Sequence, residues 1–204
     1  MLEKSDYLSA VIKALVNAEE LLEEAVILSK YNKIARAYTL FQFCIEEIGK
    51  ASLTFQFVMY SNISDNLEVK KFLKNFTNHK EKTSSSMGVD FMYALTTENS
   101  GLSKKILDNY ILQYDKINDS NNNKNYSLYT SLIESKFYLP SEVISKKQLD
   151  DIAFFANLRL KIAKSFFELG VQNFDVLFEN KSELNEEMMI EKGSKKMKEI
   201  LGIK

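Results

Sequence analysis

The sequence contains little of what disulfide frameworks, metal centres and phosphate-binding loops are built from. Its 204 residues include one cysteine, one histidine, one proline and six glycines. The single Cys44 excludes an intrachain disulfide or a cysteine-rich zinc site and favours a reducing, cytoplasmic setting. One histidine cannot supply the paired Glu-x-x-His motifs of a four-helix metal centre, and there is no glycine-rich nucleotide-binding loop. We therefore expect no metal and no cofactor.

The chain also lacks an excess of charge of either sign. Its 27 lysines and arginines face 28 aspartates and glutamates, for a net charge of −1. A surface that binds nucleic acid would therefore have to be a local patch. Only Arg36 and Arg159 offer the planar fork that grips a phosphate at two oxygens. No run of about 18 uncharged apolar residues occurs, and the N-terminus does not resemble an export signal, so we expect no membrane association.

The scarcity of glycine and proline predicts long antiparallel helices joined by short polar turns, an all-α fold. Apolar residues recur at helical spacing over 4–30 and 33–60, and Phe43 and Phe57 lie on the opposite face of the second helix, where a dimer contact is plausible. The remaining predicted elements are a helix over 67–97 interrupted near His79, a helix over 102–117, a loop over 118–125, a short irregular or extended segment over 126–140, a central helix over 145–167 that contains Arg159, and a charged terminal helix over 181–201.

His79, in the stretch KNFTNHK, is a candidate catalytic residue. A histidine can act as a general acid or base near neutral pH, as cleavage of RNA without a metal requires. The neighbouring cations include Lys74, Lys80 and Lys82, which could form a phosphate track with the interleaved phenylalanines. The alternative, which composition alone favours, is an ordinary solvated helix surface.

The stretch Glu46-Glu47-Ile48-Gly49-Lys50 permits two interpretations. Glu46 and Lys50 have the spacing of an ordinary surface ion pair. A glycine inside a helix, however, costs about 1 kcal/mol relative to alanine, which suggests that another chain segment passes close to Gly49. Glu19 and Arg159 lie on apolar stripes, where an unpaired charge would be costly. We therefore predict a structural polar network inside the bundle. Its expected members are Glu19, Glu46, Glu47, Lys50 and Arg159, with Arg36 and His79 as further partners.

Four short stretches, in this order along the chain, carry a resemblance to a known family. CIEEIGKASL (44–53), NHKEK (78–82), and KNYSLY (124–129) followed by FYLP (137–140) resemble AbiV-type abortive infection proteins of the HEPN superfamily. The resemblance spans about residues 5–170. It implies a HEPN-like helical domain, placed here at 1–175 and followed by a charged helix or tail at 176–204.

The resemblance also implies a function. AbiV-type proteins act in defence against bacteriophages by shutting down the infected cell, and many HEPN relatives are metal-independent, dimeric ribonucleases. Their paired copies each present an arginine and a histidine with four to six residues between them. In this chain His79 takes the histidine position, Lys74 falls at the arginine position and Asn75 adjoins it. The matched stretches mark Asn78, Lys80, Lys82, Lys124 and Tyr126 as residues that bind RNA or a partner.

Lysine keeps the charge of the arginine but not its fork, so two functions remain open. One is a homodimeric endoribonuclease that blocks translation or RNA metabolism. The other is a non-catalytic switch that blocks translation once a phage-encoded activator protein binds it. A nucleotide-binding or antitoxin-like module ranks last, since the chain has no glycine-rich loop.

Overall fold

Two long helices form the centre of the computed structural model, which describes residues 2–96 and 117–183. Helix α1 spans Lys4–Lys30 and α2 spans Ile34–Tyr60. Between them Asn32 has a φ of 56°, a left-handed conformation that asparagine tolerates better than most residues. The tight connection makes the two helices antiparallel, so that Tyr7 near the start of α1 packs on Phe57 near the end of α2.

Three shorter helices also pack on α2. They are α3 (Asn66–Thr77), α4 (His79–Thr96) and α5 (Ile117–Leu128). Asp65 begins α3 by accepting a hydrogen bond from the backbone N–H of Leu67, which satisfies one of the donors that a helix N-terminus leaves open. Only Asn78 separates α3 from α4.

A short antiparallel hairpin leads from α5 to the last long helix. Strand β1 (Ser131–Ile133) pairs with β2 (Lys136–Tyr138), and Leu132 lies opposite Phe137. The elements that follow are α6 (Pro140–Val143), α7 (Lys146–Gln172), α8 (Phe174–Glu179) and a 3₁₀ turn (Lys181–Glu183). Ser145 caps α7 by accepting from the N–H of Gln148, and Gln148 returns a bond to the Ser145 N–H, as the capping-box spacing predicts.

Aromatic side chains fill the end of the bundle where α2 finishes. Phe57 stacks on Phe72 with 4.5 Å between ring centroids and meets Tyr7 edge-on. On another side of α2, Phe55 contacts Phe167. Phe57 is therefore buried within its own chain, and the prediction that it forms a dimer contact is wrong.

The all-α bundle is confirmed, including the break at His79 and the short extended segment inside 126–140. The loop predicted over 118–125 is wrong, because these residues form most of α5. Asparagine and serine are poor helix formers, but burial of Lys124 and Ser127 against α2 outweighs local preference. The helix predicted over 102–117 lies outside the described residues except for its last position, as does most of the one over 181–201. None of the described helices has the length and apolarity that crossing a membrane requires.

Candidate functional site

A buried glutamate stands at the middle of α2 with three cationic or potentially cationic side chains around it. The Glu46 carboxylate lies 2.6 Å from His79 Nδ1, 2.8 Å from Lys82 Nζ and 3.1 Å from Lys124 Nζ. These residues come from α2, α4 and α5, and we call the four the Glu46 cluster. Residues 78 positions apart in the sequence thus meet at one carboxylate.

Gly49 explains how α4 comes so close to α2. A β-carbon at this position would lie 1.8 Å from the backbone oxygen of Lys82, much closer than any two such atoms can approach. Only glycine therefore allows this crossing of α2 and α4. Gly49 and Glu46 lie three residues apart, on the same side of α2. The sequence-based prediction that another segment passes close to Gly49 is confirmed.

Asn78 fixes the position of His79. Its side-chain oxygen accepts hydrogen bonds from the backbone N–H groups of Lys80 at 2.9 Å and Glu81 at 3.4 Å, the pattern of a helix N-cap. His79 is therefore the first residue of α4, on an exposed corner between two helices. Its side chain retains 52% of its accessible surface, whereas that of Glu46 retains 4%.

The electrostatics of the cluster keep Glu46 ionised. Burial alone would raise the pKa of its carboxyl group, but the hydrogen bonds from Lys82 and His79 and the charges of Lys124 and Lys82 outweigh burial and lower the pKa. An ionised carboxylate only accepts hydrogen bonds, so Nδ1 of His79 must carry the proton between them. Nε2, the other ring nitrogen, has no hydrogen-bond partner in residues 2–96 or 117–183, and the ring is half exposed.

Lys82, which was expected in an exposed phosphate track, and Lys124, which was expected to bind RNA or a partner, are both buried. Their side chains are 7% and 6% exposed, and both point to Glu46. One buried carboxylate thus faces two buried ammonium groups, which leaves the cluster with an excess of positive charge. Such an excess is costly in a protein interior, and an anion at the surface of the cluster would offset it.

The other residues expected to act with His79 make no side-chain hydrogen bond or ion pair with it among the described residues. Lys74 and Lys80 are exposed, without a hydrogen bond or ion pair of their side chains in the part of the chain that is described. Asn75 lines a separate cavity of about 440 Å³ between α2 and α3. Tyr126 is partly buried and packs against the core. The arginine-like position at Lys74 is therefore not joined to the histidine in this chain.

The predicted internal network is instead several separate contacts. Arg159 is buried and binds Asp90 through Nε and Nη2 at 2.7 to 3.1 Å and Ser86 through Nη1 at 3.3 Å. We call these three residues the Arg159 cluster. Glu47 pairs with Lys50, so the surface pair suggested between Glu46 and Lys50 does not form.

The expectation that Glu19 lies inside the bundle is wrong. Its side chain is 44% exposed and binds Lys164 on α7 at 2.7 Å. A carboxylate at the edge of an apolar stripe can reach water, so helical periodicity alone does not show that it is buried.

Sequence reasoning missed Asp90 and Ser86. They are four residues apart on α4, a spacing that places both on one helix face, and this signal was available. It could not show that Arg159, 69 positions away from Asp90, would be the partner. In the described part of the chain, no three His, Cys, Asp or Glu side chains come together as a metal ion would need.

Comparisons with known proteins agree with the resemblance seen in the sequence. The model of the family HEPN_AbiV, described as AbiV, matches residues 6–161, which includes every member of both clusters. No curated protein and no solved structure showed significant similarity. Because the match covers well over half of the 204 residues, the chain belongs to the AbiV family of HEPN proteins.

Proposed function

We propose that this protein is an abortive-infection effector that cuts RNA, with Glu46 and His79 as its catalytic dyad. The observation that supports it best is the 2.6 Å contact between Glu46 Oε2 and His79 Nδ1 on a half-exposed ring. A buried carboxylate that holds one ring nitrogen of a histidine, and leaves the other toward solvent, is the arrangement by which enzymes orient a general base. Membership of the AbiV family supports the biological setting.

The chemistry that fits this dyad is transfer of a phosphoryl group from one oxygen to another within RNA. Nε2 of His79 accepts the proton of a 2′-hydroxyl as that oxygen attacks the adjacent phosphorus. The new P–O bond forms as the bond to the 5′-oxygen breaks. That oxygen takes a proton from a general acid, and the products are a 2′,3′-cyclic phosphate and a free 5′-hydroxyl end. Glu46 stabilises the imidazolium that forms between the two proton transfers.

The two buried lysines support the same reaction in different ways. By lowering the pKa of Glu46 they keep its carboxylate ionised and therefore keep Nδ1 protonated. Their excess positive charge also attracts the phosphate and stabilises the negative charge that grows on it in the transition state. Lys82 and Lys124 take over in this proposal the task that the sequence-based interpretation gave to Lys74.

A homodimer would supply the general acid. In this proposal His79 of a second copy protonates the leaving oxygen, so that two dyads form one composite site. Phe57 does not serve as the contact, because it is buried within its chain. Half-buried Phe43, also on α2, remains a candidate contact residue.

The hairpin favours a second candidate function, a non-catalytic switch that binds a phage-encoded activator protein. Leu132 and Phe137 face each other across the two strands and are 61% and 78% exposed. Contiguous exposed apolar surface is a feature of protein-binding sites, and this pair would contribute to one. In this function the blocked translation would follow from binding alone.

The experiment that separates the two functions compares cell RNA during phage challenge. Bacteria would express the wild type, His79→Ala, or Glu81→Ala, an exposed change on the same helical turn that serves as the control. For a catalytic dyad we expect discrete cuts with 2′,3′-cyclic phosphate ends in the wild type and the control. In His79→Ala the cuts should fall by roughly 10²- to 10⁴-fold, the usual contribution of general acid–base catalysis.

Two other outcomes would contradict the ribonuclease. In the first, the His79→Ala variant is folded and still protects the cells as the wild type does. In the second, RNA stays intact while translation stops, which would support the switch. Loss of protection on changing Leu132 and Phe137 to serine would then identify the hairpin as its binding surface.

A further inference from the structure

A cavity of about 220 Å³ lies between α2, α4, α5 and α7, outside the Glu46 cluster. Its volume is below the roughly 300–1,000 Å³ of sites for drug-sized ligands, so it fits one ring system and not a larger molecule. Its wall combines apolar and polar side chains, among them Tyr38, Gln42, Thr83, Ser120 and Phe155. None of the functions argued above uses it.

The cavity lies next to the Glu46 cluster on each of the three helices that carry the cluster. Gln42 precedes Glu46 by four residues, which places it about 6 Å away along the same face of α2. Thr83 follows Lys82 directly on α4, and Asn123 directly precedes Lys124 on α5. The sugar of a nucleotide can bridge such a spacing, with its phosphate at one site and its base at the other.

The inner wall is organised by hydrogen bonds. Gln42 donates to Thr83 Oγ1 at 3.2 Å and accepts from Ser120 Oγ at 2.9 Å, so its amide is held in one orientation with one N–H remaining. Burial raises the pKa of Tyr38 to about 12, despite hydrogen bonds to Asn123 and Ser120. Its hydroxyl is therefore always protonated near neutral pH.

The rim is acidic and partly aromatic. Asp119 and Asp151 both contribute to the wall and are exposed, so they lie where the cavity meets water. Phe155 lies beside them, with the Arg159 guanidinium 5.5 Å from its ring centroid. Two carboxylates at an opening repel a phosphate, but they accept hydrogen bonds from amino groups such as N4 of cytosine. An aromatic ring beside them offers a stacking surface to a base.

We propose that this cavity is a base-binding subsite that takes one unpaired RNA base bearing an exocyclic amino group. In the complete reaction the base would enter the cavity while its phosphate meets the Glu46 cluster. The proposal rests on the proposed function for its purpose, but base binding can be measured without cleavage. It gives the enzyme a preference for cutting next to cytidine, adenosine or guanosine over uridine.

Cytidine and uridine form a matched pair of probes, because they differ at position 4 by an amino group against a carbonyl oxygen. The experiment titrates each nucleoside into the protein at millimolar concentration and follows binding by saturation-transfer NMR. We expect cytidine to bind at least about tenfold more tightly, the effect of one hydrogen bond to a charged acceptor. Asp119→Ala/Asp151→Ala should remove that preference, whereas the control Asp150→Ala, one residue outside the wall, should retain it.

The same titration with His79→Ala separates this proposal from the ribonuclease. We expect unchanged cytidine binding there, whether or not the protein cuts RNA. The subsite is overturned if the folded wild type binds neither nucleoside, if uridine binds as tightly as cytidine, or if the double variant keeps the preference. An absence of RNA cuts in cells, combined with selective cytidine binding, would overturn the ribonuclease alone.

Discussion

Two buried charge clusters on α4 differ in their balance. Within residues 2–96 and 117–183, the Arg159 cluster joins one guanidinium to one carboxylate, with both side chains at most 7% exposed. In the Glu46 cluster, one carboxylate contacts two buried ammonium groups and a half-exposed histidine. A buried guanidinium that binds both oxygens of a carboxylate stabilises the packing of the helices it joins. An unbalanced cluster with one member at the surface is what an anion-binding or catalytic site requires.

Removing Asp90 should have the largest effect on stability. Asp90→Ala removes the carboxylate that Arg159 binds through Nε and Nη2, and breaking a buried ion pair usually costs about 3–5 kcal/mol. Urea denaturation followed by circular dichroism would measure the loss in the free energy of unfolding. A loss below about 1 kcal/mol would contradict the structural role that the comparison gives to the Arg159 cluster.

Gly49→Ala tests the contact that brings α4 to the Glu46 cluster. Its β-carbon would meet the backbone oxygen of Lys82 at 1.8 Å, so the two helices must move apart. We expect a loss of about 3 kcal/mol, at the upper end of the usual cost of overpacking. Gly88→Ala is the matched control, because a β-carbon there meets nothing within 4 Å. Equal stability of the two variants would show that the approach of α2 and α4 is looser than described.

Glu46→Gln should cost less, about 2 kcal/mol, because glutamine keeps the shape and part of the hydrogen bonding. The effect should depend on pH. The pKa of Glu46 in the folded protein lies below its ordinary 4.5, so its contribution to stability is present above about pH 4.5 and is lost as the pH falls through the folded value. The free energies of unfolding of the wild type and the variant should therefore approach each other as the pH falls.

A difference in the free energy of unfolding between wild type and variant that stays constant from about pH 7 to pH 3 would contradict that account of the cluster. In cells the same variant should lose RNA cleavage, because a neutral side chain no longer stabilises the imidazolium of His79. Retention of cleavage would separate the buried carboxylate from the chemistry and leave it a purely structural role.

Glu19→Ala should have the smallest effect. The Glu19–Lys164 pair is partly exposed at both ends, and such pairs contribute at most about 1 kcal/mol. Denaturation in low and in high salt would measure it, and the difference from the wild type should shrink as salt screens the pair. A loss of stability comparable to that of Asp90→Ala would show that the exposure of an ion pair does not determine its contribution to stability here.

Local patterns were enough to predict most of the fold, but not the partners at the site. The spacing of apolar residues located α1 and α2, and the cost of a glycine at Gly49 revealed a close crossing. The resemblance placed Lys74 with His79, and the two side chains form no hydrogen bond with each other within the described residues, so a joint role for them stays a prediction. Lys82 and Lys124 looked like surface lysines, because the sequence around each of them does not indicate that Glu46 is buried between them. Charge pairs across the fold depend on how helices cross, which periodicity within one helix does not determine.

The crossing at Gly49 has a consequence for control of the protein. Backbone touches backbone there, so the separation of Glu46 from Lys82 and His79 is set without any side chain having to move. Under the proposed function, the contact between Glu46 and His79 is therefore in place before a second copy arrives. Under the same proposal, we expect control of the protein to act on the encounter between two copies or on access to the exposed ring.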